Sequence, residues 1–464
     1  MKKKLFVIVL MVLVLAPAMA AAQESAPSQV LGVHQELPNG LIWLFSEQRS
    51  LPLVSVKVVV RGGVLRDPPG KAGLANLTAL LLTQGTKSRS ATQIAQEVDF
   101  LGAKLGSSGN DDYTSAGLTV LKKNLEPGLD LLKDILLNPA FSPEEVKRKV
   151  SQLKASFQTD EDEPGVVASR TFNRRLFGKN PYAHPVKGTL EGLAAIDSKD
   201  LAVFHDKFYR PNNAIVTIVG DLSPEEAKDW VMKIFGQWKA APIPENKVPP
   251  APNLKDTEKI LIDKNITQAN IIWGHLGIAR NNPDLYALQV LNYILGGGGF
   301  SSRLLTNIRE ERGLAYSVAS GFEAGLEPGT FAVSLETKNQ SAGEAVTQVI
   351  REVEKVRSQT VSAAELDEAK SFLIGSFPSK MDSVAKRAAL LAYVEFYGLG
   401  LDYPWRYPSL IKNLTPADLK KTADKYLHPE RYLLVVVGKK SDVPEVASFS
   451  TLPGDKEIKH DKEK

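Results

Sequence analysis

The chain has 464 residues, 43% of them hydrophobic and 24% charged, and a formal net charge of +4. This length exceeds one ordinary core and predicts roughly two large or four smaller domains of a globular protein. The absence of cysteine excludes disulfides, a thiolate nucleophile and a lipid-modified cysteine. Lysines and arginines are scattered among acids with no basic stripe, which argues against nucleic-acid binding.

The N-terminus has the pattern of a secretory signal peptide. Lys2–Lys4 precede the apolar run Leu5–Ala16, and small residues follow. The run is too short for a transmembrane helix. We therefore predict a signal peptide over residues 1–22, cleavage after Ala20 or Ala22, export to the periplasm, and no membrane attachment after cleavage.

A proline-dense stretch divides the remaining chain almost evenly, with prolines at positions 242, 244, 249, 250 and 252. Such a stretch predicts an extended, semi-rigid connector. We predict an N-terminal domain over 23–241, a linker over 242–255, a C-terminal domain over 256–455 and a charged, solvated tail over 456–464.

The two halves resemble each other in sequence. Asp200-Leu201 recurs in constant register as Asp418-Leu419, and Pro211 recurs as Pro429. These matches predict a divergent internal duplication.

The order of predicted elements repeats as well. In the first half the signals predict a hairpin at Asn39-Gly40, a strand over 53–60, helices over 74–82 and 91–101, a helix start at Ser142 and a buried strand over 215–219. The second half predicts a strand over 271–273, a helix over 285–295, a helix start at Ser362 and a strand over 433–437. Strands and helices without strict alternation indicate an α+β fold of two homologous halves, each a mixed sheet with helices.

The segment Gly73–Thr86 closely resembles the active helix of the pitrilysin/insulinase family of zinc peptidases, and the resemblance extends over most of the chain. In catalytic members this helix carries His-x-x-Glu-His, whose histidines bind zinc and whose Glu activates water. The matching positions here are Asn76, Ala79 and Leu80, which can supply neither function.

The family's third zinc ligand is a Glu on a later helix, before an acidic stretch that Asp160–Glu163 resembles. The ligand position falls at or beside Ser156, where no carboxylate exists. We therefore predict no metal in this chain. A zinc site built from distant histidines and carboxylates stays open, although the six widely spaced histidines form no HExxH or HxxEH arrangement.

The segment Arg309–Tyr316 resembles the second family feature, in which an Arg and a later Tyr face the zinc. The resemblance implies that Arg309 and Tyr316 donate hydrogen bonds to a scissile peptide and stabilise its tetrahedral intermediate. The alternative is that the pair serves helix-end electrostatics and packing.

The run Gly296-Gly297-Gly298-Gly299 lacks the Gly-Lys-Ser/Thr ending of a phosphate-binding loop, which argues against nucleotide binding. It resembles the glycine-rich loop of the non-catalytic subunit of mitochondrial processing peptidase, where the implied role is substrate contact. A permissive connector between helices is the alternative.

These features predict a processing-peptidase-like, non-catalytic subunit that binds peptide and completes the transition state in a heteromeric zinc metallopeptidase. The zinc and the intact His-x-x-Glu-His motif would belong to a homologous partner chain. A catalytically inert peptide-binding or structural scaffold of the same fold is the first alternative, and an independent hydrolase with an unrecognised site is the second. The chain is not expected to act as a peptidase alone.

Overall fold

The computed structural model describes residues 29–245, 247–444 and 450–451. The predicted signal peptide and charged tail lie outside these residues. Within them, no helix combines the length and apolar character needed to cross a membrane.

The first half comprises six strands and eight helices: β1 (Val33–Glu36), β2 (Ile42–Glu47), β3 (Leu53–Val60), α1 (Leu74–Leu81), α2 (Ala91–Phe100), β4 (Lys104–Gly109), β5 (Thr114–Leu121), α3 (Leu125–Leu137), α4 (Pro143–Glu161), α5 (Pro164–Phe177), α6 (Leu190–Ala194), α7 (Ser198–Phe208), β6 (Ala214–Gly220) and α8 (Pro224–Phe235). Short 3₁₀ turns join several of these elements.

The described part of the second half comprises β7 (Glu258–Asp263), β8 (Gln268–Leu276), α9 (Leu285–Asn292), α10 (Arg303–Leu305), β9 (Ala315–Phe322), β10 (Thr330–Lys338), α11 (Ala342–Ser358), α12 (Ala363–Ser376), α13 (Val384–Phe396), α14 (Tyr403–Lys412), α15 (Pro416–Tyr426), β11 (Leu433–Gly438) and β12 (Ser450–Thr451). Two π-helical segments, Tyr293–Gly297 and Thr306–Glu311, extend α9 and α10.

In the described ranges, each half forms a six-stranded mixed sheet, with the orders β1-β2-β6-β3-β5-β4 and β12-β7-β11-β8-β10-β9. The central pairs correspond: β2 lies parallel to β6 and β7 parallel to β11, whereas β3–β5–β4 and β8–β10–β9 are antiparallel. Only the outer strands differ, because β1 is antiparallel to β2 and β12 is parallel to β7. The predicted α+β class with two homologous halves is confirmed.

Local chemistry explains the repeated helix starts. Ser142 Oγ accepts a hydrogen bond from Glu145 N at the start of α4 (3.4 Å), and Ser362 Oγ accepts one from Glu365 N at the start of α12 (3.2 Å). These caps satisfy backbone donors that the first helical turn leaves free. The helix predicted over 285–295 differs, because its regular α form ends at Asn292 and a π-helical segment follows.

The two halves exchange helices across their interface. Helix α5 buries Ala168 and Phe172 against the sheet of the second half, in a cluster with Val435 of β11. In return, α13 packs on the sheet of the first half, where Thr217 Oγ1 of β6 donates to the Ala388 carbonyl at 2.9 Å. Strands β6 and β11 are buried along their whole length because helices cover both faces.

The chain between α8 and β7 contains no helix or strand in its described residues. It lies against the first half rather than projecting into solvent: Asn180 Nδ2 donates to the Pro249 carbonyl (2.9 Å), and Val248 and Ala251 pack beside the α5 cluster. The predicted domain boundaries remain predictions; helices α5 and α13 each pack on the sheet of the other half.

Candidate functional site

Helix α1 carries three of the predicted zinc-site positions, and its start is capped by a buried carboxylate. Asp67 Oδ2 and Oδ1 accept hydrogen bonds from Gly73 N and Ala75 N, both at 2.7 Å. Burial raises the pKa of Asp67 to about 7, and the two backbone donors oppose this rise. His184 Nε2 lies 4.0 Å from Asp67. Sequence analysis did not find this pair, because no local motif joins residues so far apart.

Two of the three α1 residues at the family's zinc-binding positions make hydrogen bonds to β4. Asn76 is buried, and its Oδ1 accepts from Gly109 N at 3.2 Å. Ala79 is fully buried and its carbonyl accepts from Ser107 Oγ at 2.6 Å, whereas Leu80 is half-buried. An amide, a methyl and an isobutyl group at these positions do not match zinc's preference for imidazole, thiolate or carboxylate.

Ser156 on α4 stands at the predicted third-ligand position and has a cation beside it. Its Oγ donates to the Leu153 carbonyl (2.8 Å) and accepts from Lys187 Nζ (3.0 Å). Lys187 also pairs with Asp160 (2.5 Å) and lies over the Phe157 ring at 4.4 Å. An ammonium next to this position repels a metal cation. Lys187 was missed by sequence analysis because it precedes α6, outside every family motif quoted above.

No other described residues provide a metal site. No group of three or more His, Cys, Asp or Glu side chains among them is placed to hold a metal ion. Two histidines instead make internal hydrogen bonds. The half-buried His205 donates from Nε2 to the Leu136 carbonyl (2.8 Å), and the buried His275 donates from Nδ1 to its neighbour's carbonyl (2.8 Å) while its Nε2 accepts from His428 N (3.1 Å). Burial lowers the pKa of both to about 4. The residues present do not fit zinc.

Arg309 and Tyr316 lie close together in the second half, away from α1 and α4. The Arg309 guanidinium lies 5.0 Å from the centre of the Tyr316 ring and 5.1 Å from that of Phe300. Gly313 (φ +61°) follows the π-helical segment and lets the chain turn into β9. Tyr316 is the second residue of that strand. Tyr316 is 74% exposed. Among the described residues, neither the Arg309 nor the Tyr316 side chain has a hydrogen-bond or salt-bridge partner, so both donors remain available.

The glycine run forms the end of α9's π-helical extension. A Cβ at Gly296 would lie 2.7 Å from Ser320 N, and one at Gly297 would lie 2.6 Å from Asn292 Nδ2. Asn292 and Ser320 bond to each other (Oγ to Oδ1, 2.8 Å), which holds this segment against β9. Close packing against the β9 backbone requires glycine at 296, whereas at 297 a Cβ would have to displace the end of the Asn292 side chain; sequence alone specified neither contact.

These second-half residues line one cavity of about 580 Å³. Gly296, Gly297, Gly299, Arg309 and Tyr316 contribute to its wall, together with strands β8, β9 and β10 and the α5 residues Gly165 and Ala168. Gly298 does not line it. Among the described residues that do, none comes from α1 or α4, so Asn76, Ala79, Leu80 and Ser156 belong to a separate region.

A matching cavity of about 610 Å³ lies on the first half. Its walls are β3, β4 and β5, with Ala385 and Ala389 of α13 in the place that α5 occupies in the other half. Ser107, which bonds to α1, lines it. Among the strands that the structure describes, β4 and β9 each end their sheet, so both cavities lie beside a strand edge with no described partner.

Family models match both halves of the chain. Residues 44–190 match the model described as Insulinase (Peptidase family M16), and residues 195–373 match the model described as Peptidase M16 inactive domain.

Relatives match over most of their length. A Mycobacterium leprae protein described as an uncharacterized zinc protease is 30% identical, over 73% of this chain and 76% of its own. Uncharacterized zinc protease YmxG of Bacillus subtilis is 24% identical (88% and 98% covered), and the non-peptidase homolog YmxG of Helicobacter pylori is 28% identical (84% and 90%).

Solved structures share the fold. The peptidase M16 inactive domain from Pseudomonas fluorescens superimposes with a TM-score of 0.83 at 30% identity, covering 88% of this chain and 98% of that one. A protease from Helicobacter pylori gives a TM-score of 0.82 at 22% identity, covering 88% and 100%. The chain therefore belongs to the M16 (insulinase) family of peptidases, as a peptidase-like member in which the zinc-binding positions hold no zinc ligands.

Proposed function

We propose that this chain is the non-catalytic, peptide-binding subunit of a heteromeric M16 metallopeptidase. A homologous partner with an intact His-x-x-Glu-His motif would hold the zinc and the general base. The observation that carries the proposal is the contrast between the two regions: Asn76, Ala79, Leu80 and Ser156 cannot bind zinc, while Arg309 and Tyr316 meet beside an open cavity.

The chemistry of the retained pair suits assistance to a partner. A guanidinium and a phenol are hydrogen-bond donors, and donors aimed at a developing oxyanion stabilise the transition state of peptide hydrolysis. Neither group activates water. Arg309 and Tyr316 are consequently useful only where another chain supplies the nucleophile.

The free edges of the sheets support peptide binding. Strand β9, which carries Tyr316, ends its sheet and borders the cavity of about 580 Å³. An extended peptide gains affinity by pairing its backbone with such an edge, while pockets beside the edge accept its side chains. Within the glycine run, a Cβ at Gly299 would meet nothing within 4 Å, so this position leaves room for substrate in the wall, whereas Gly296 and Gly297 pack against the protein itself.

The test is co-expression of the full chain with a homologue that carries His-x-x-Glu-His, followed by purification and measurement of kcat/KM on a fluorogenic peptide. Arg309→Ala should lower kcat/KM by about 100-fold, the usual effect of losing one oxyanion donor, without disturbing assembly. Arg351→Ala is the matched control, because Arg351 is exposed on α11. A co-purified complex whose kcat/KM is unchanged by Arg309→Ala would contradict the proposal.

A scaffold without chemistry is the second candidate, favoured by the stacking of Arg309 between Phe300 and Tyr316. Stacked guanidinium and aromatic groups stabilise a fold by themselves. In that case Arg309→Ala lowers the melting temperature of the chain and leaves the activity of the assembled complex unchanged.

We also propose that the chain is exported to the periplasm, from the signal pattern in residues 1–22. Cell fractionation with N-terminal sequencing should find a soluble periplasmic chain that begins after Ala20 or Ala22. An uncleaved chain retained in the cytoplasm would contradict this.

A further inference from the structure

A third cavity, of about 410 Å³, lies where the two halves meet and has a strongly cationic wall. Lys57 of the first half and Arg280, Lys380 and Lys386 of the second half line it. No residue of the described wall is acidic. Among the described residues, the one carboxylate paired with these cations is Asp382, which lies 2.8 Å from Lys386 Nζ.

Three of the four cations therefore lack an opposite charge. Lys57 Nζ has a single long hydrogen bond, to Ser115 Oγ at 3.3 Å, and burial lowers its pKa. The Arg280 guanidinium lies over the ring of Tyr393 at 4.8 Å, but its Nε is buried with no hydrogen-bond partner in the described structure. Partial burial and the nearby Arg280 lower the pKa of Lys380.

Holding these groups together without a counter-charge is costly. Lys57 and Arg280 are half-buried and lose hydration, and the Arg280 charge raises the energy of the more exposed Lys380 charge near it. Stacking on aromatic rings compensates for only part of this cost. The protein keeps the arrangement although replacement by neutral residues would stabilise the empty cavity, which indicates that the charges serve a bound anion.

The tyrosines of the cavity wall are also suited to binding an anion. Tyr393, Tyr403 and Tyr407 line the cavity, and burial raises the pKa of Tyr393 and of Tyr407 to about 12. Their phenols therefore stay protonated and can donate hydrogen bonds at neutral pH. The volume lies within the range of small-ligand sites, roughly 300–1,000 Å³.

We propose that this cavity binds a compact oxyanion, a carboxylate or a phosphate, between Arg280, Lys380 and Lys57. The planar guanidinium matches the two oxygens of such a group, and the lysines supply point charges at its other side. The tyrosine rings give an apolar surface to whatever the anion is attached to.

Two sources of this anion are distinguishable. Lys57 and Ala389 line both this cavity and the cavity of about 610 Å³ beside β4. A peptide lying along β4 would thus bring its C-terminal carboxylate to Arg280, an option that rests on the proposed peptide-binding function. Free phosphate or a phosphorylated metabolite needs no peptide, so the anion site itself does not depend on that function.

The experiment is calorimetric titration of the full chain at constant ionic strength with three probes: inorganic phosphate, a short peptide with a free C-terminal carboxylate, and its amidated twin. The variants are Lys380→Gln alone and Arg280→Gln with Lys380→Gln. Arg351→Gln with Lys412→Gln is the matched control, since both residues are exposed outside the cavity. Thermal unfolding of each ligand-free variant is measured in parallel.

Binding of phosphate, or of the free-acid peptide more than tenfold more tightly than its amide, is expected for the wild type and the control. The double variant should lose at least tenfold in affinity with a melting temperature equal to or above that of the wild type. Preference for the free acid identifies the peptide source, and phosphate binding without that preference identifies the free anion. The anion-site proposal is overturned if the wild type binds no probe at millimolar concentration, or if the double variant keeps its affinity. If the chain binds phosphate but assembles with no peptidase, only the proposed function is refuted.

Discussion

In the first half, α1 buries Asn76 and Ala79 against β4, whereas in the second half Arg309 and Tyr316 stay open beside β9. Both regions carry a segment that resembles M16 catalytic machinery, on closely similar sheets. The residues at the zinc-binding positions are engaged within the protein: Asn76 bonds to the backbone, and Lys187 places an ammonium beside Ser156. Arg309 and Tyr316, which can only donate hydrogen bonds, line an open cavity.

The exchanged helices should make the two halves unfold as one cooperative structure. Removing a core side chain from one of these helices is the strongest perturbation of that coupling. Phe172 of α5 is 2% exposed and packs on the second half's sheet. Phe172→Ala should cost about 3–5 kcal/mol of unfolding free energy, from lost transfer energy and the cavity left behind. Val166→Ala, on the same helix but 41% exposed, should change stability by less than about 0.5 kcal/mol.

Denaturant unfolding followed by both fluorescence and circular dichroism measures this effect. We expect one transition in Phe172→Ala, shifted to lower denaturant for both probes. Two separate transitions would mean that the halves unfold independently, and the two regions would then have to be treated as separate domains.

Acid should weaken both halves, through His205 in the first and His275 in the second. The folded pKa of His205 and of His275 is about 4, below the ordinary value of 6.5. The stability that each contributes is therefore complete above pH 6.5 and is lost as pH falls through 4, by roughly 3 kcal/mol per histidine. The pH dependence that Asp67 contributes has the opposite sign. Because its pKa is raised, the stability that it contributes is lost as pH rises through about 7.

Unfolding free energies at several pH values between 4 and 7.5 separate these contributions. His205→Gln should be less stable than the wild type at pH 7.5, because it disturbs a buried site, yet lose less stability between pH 6.5 and 4. Because Asp67 is present in both proteins, the difference between them isolates the histidine. Parallel pH curves for the two proteins would contradict the lowered pKa of His205 in the folded protein.

The smallest effect concerns the glycine run. A Cβ at Gly296 would lie 2.5 Å from Ser320 Oγ and 2.7 Å from Ser320 N, so Gly296→Ala must push β9 away and should cost about 1–3 kcal/mol. Gly343→Ala on α11 meets nothing within 4 Å and should be neutral or slightly stabilising, since alanine favours a helix. Thermal unfolding compares the two. If Gly296→Ala is as stable as Gly343→Ala, the run is a permissive connector rather than a packed wall of the cavity.

Much of this architecture could be predicted from the sequence because its signals are local. The strand over 53–60 was predicted to the residue from its β-branched side chains, and the helix starts at Ser142 and Ser362 follow from capping chemistry. The lack of the family's zinc ligands followed from the identity of single residues. The absence of carboxylate and imidazole at those positions needs no structure to recognise.

The remainder depends on contacts between distant parts of the chain. The exchange of α5 and α13 places Ala168 on one sheet and Ala388 on the other, and no periodicity specifies which sheet an amphipathic helix will cover. Lys187 reaches Ser156 through tertiary packing alone. The cationic cavity likewise combines Lys57 with Arg280 from different halves, so it has no signature in any segment of sequence.

The most direct test of the account is the zinc content of the purified full chain, incubated with zinc and dialysed, measured by elemental analysis. A variant with Asn76→His, Ala79→Glu, Leu80→His, Ser156→Glu and Lys187→Met serves as the comparison, because it restores the ligands and removes the ammonium. The account predicts no bound zinc in the natural chain and a clear gain of zinc in the variant. Stoichiometric zinc in the natural chain, lost on chelation together with peptidase activity, would contradict it.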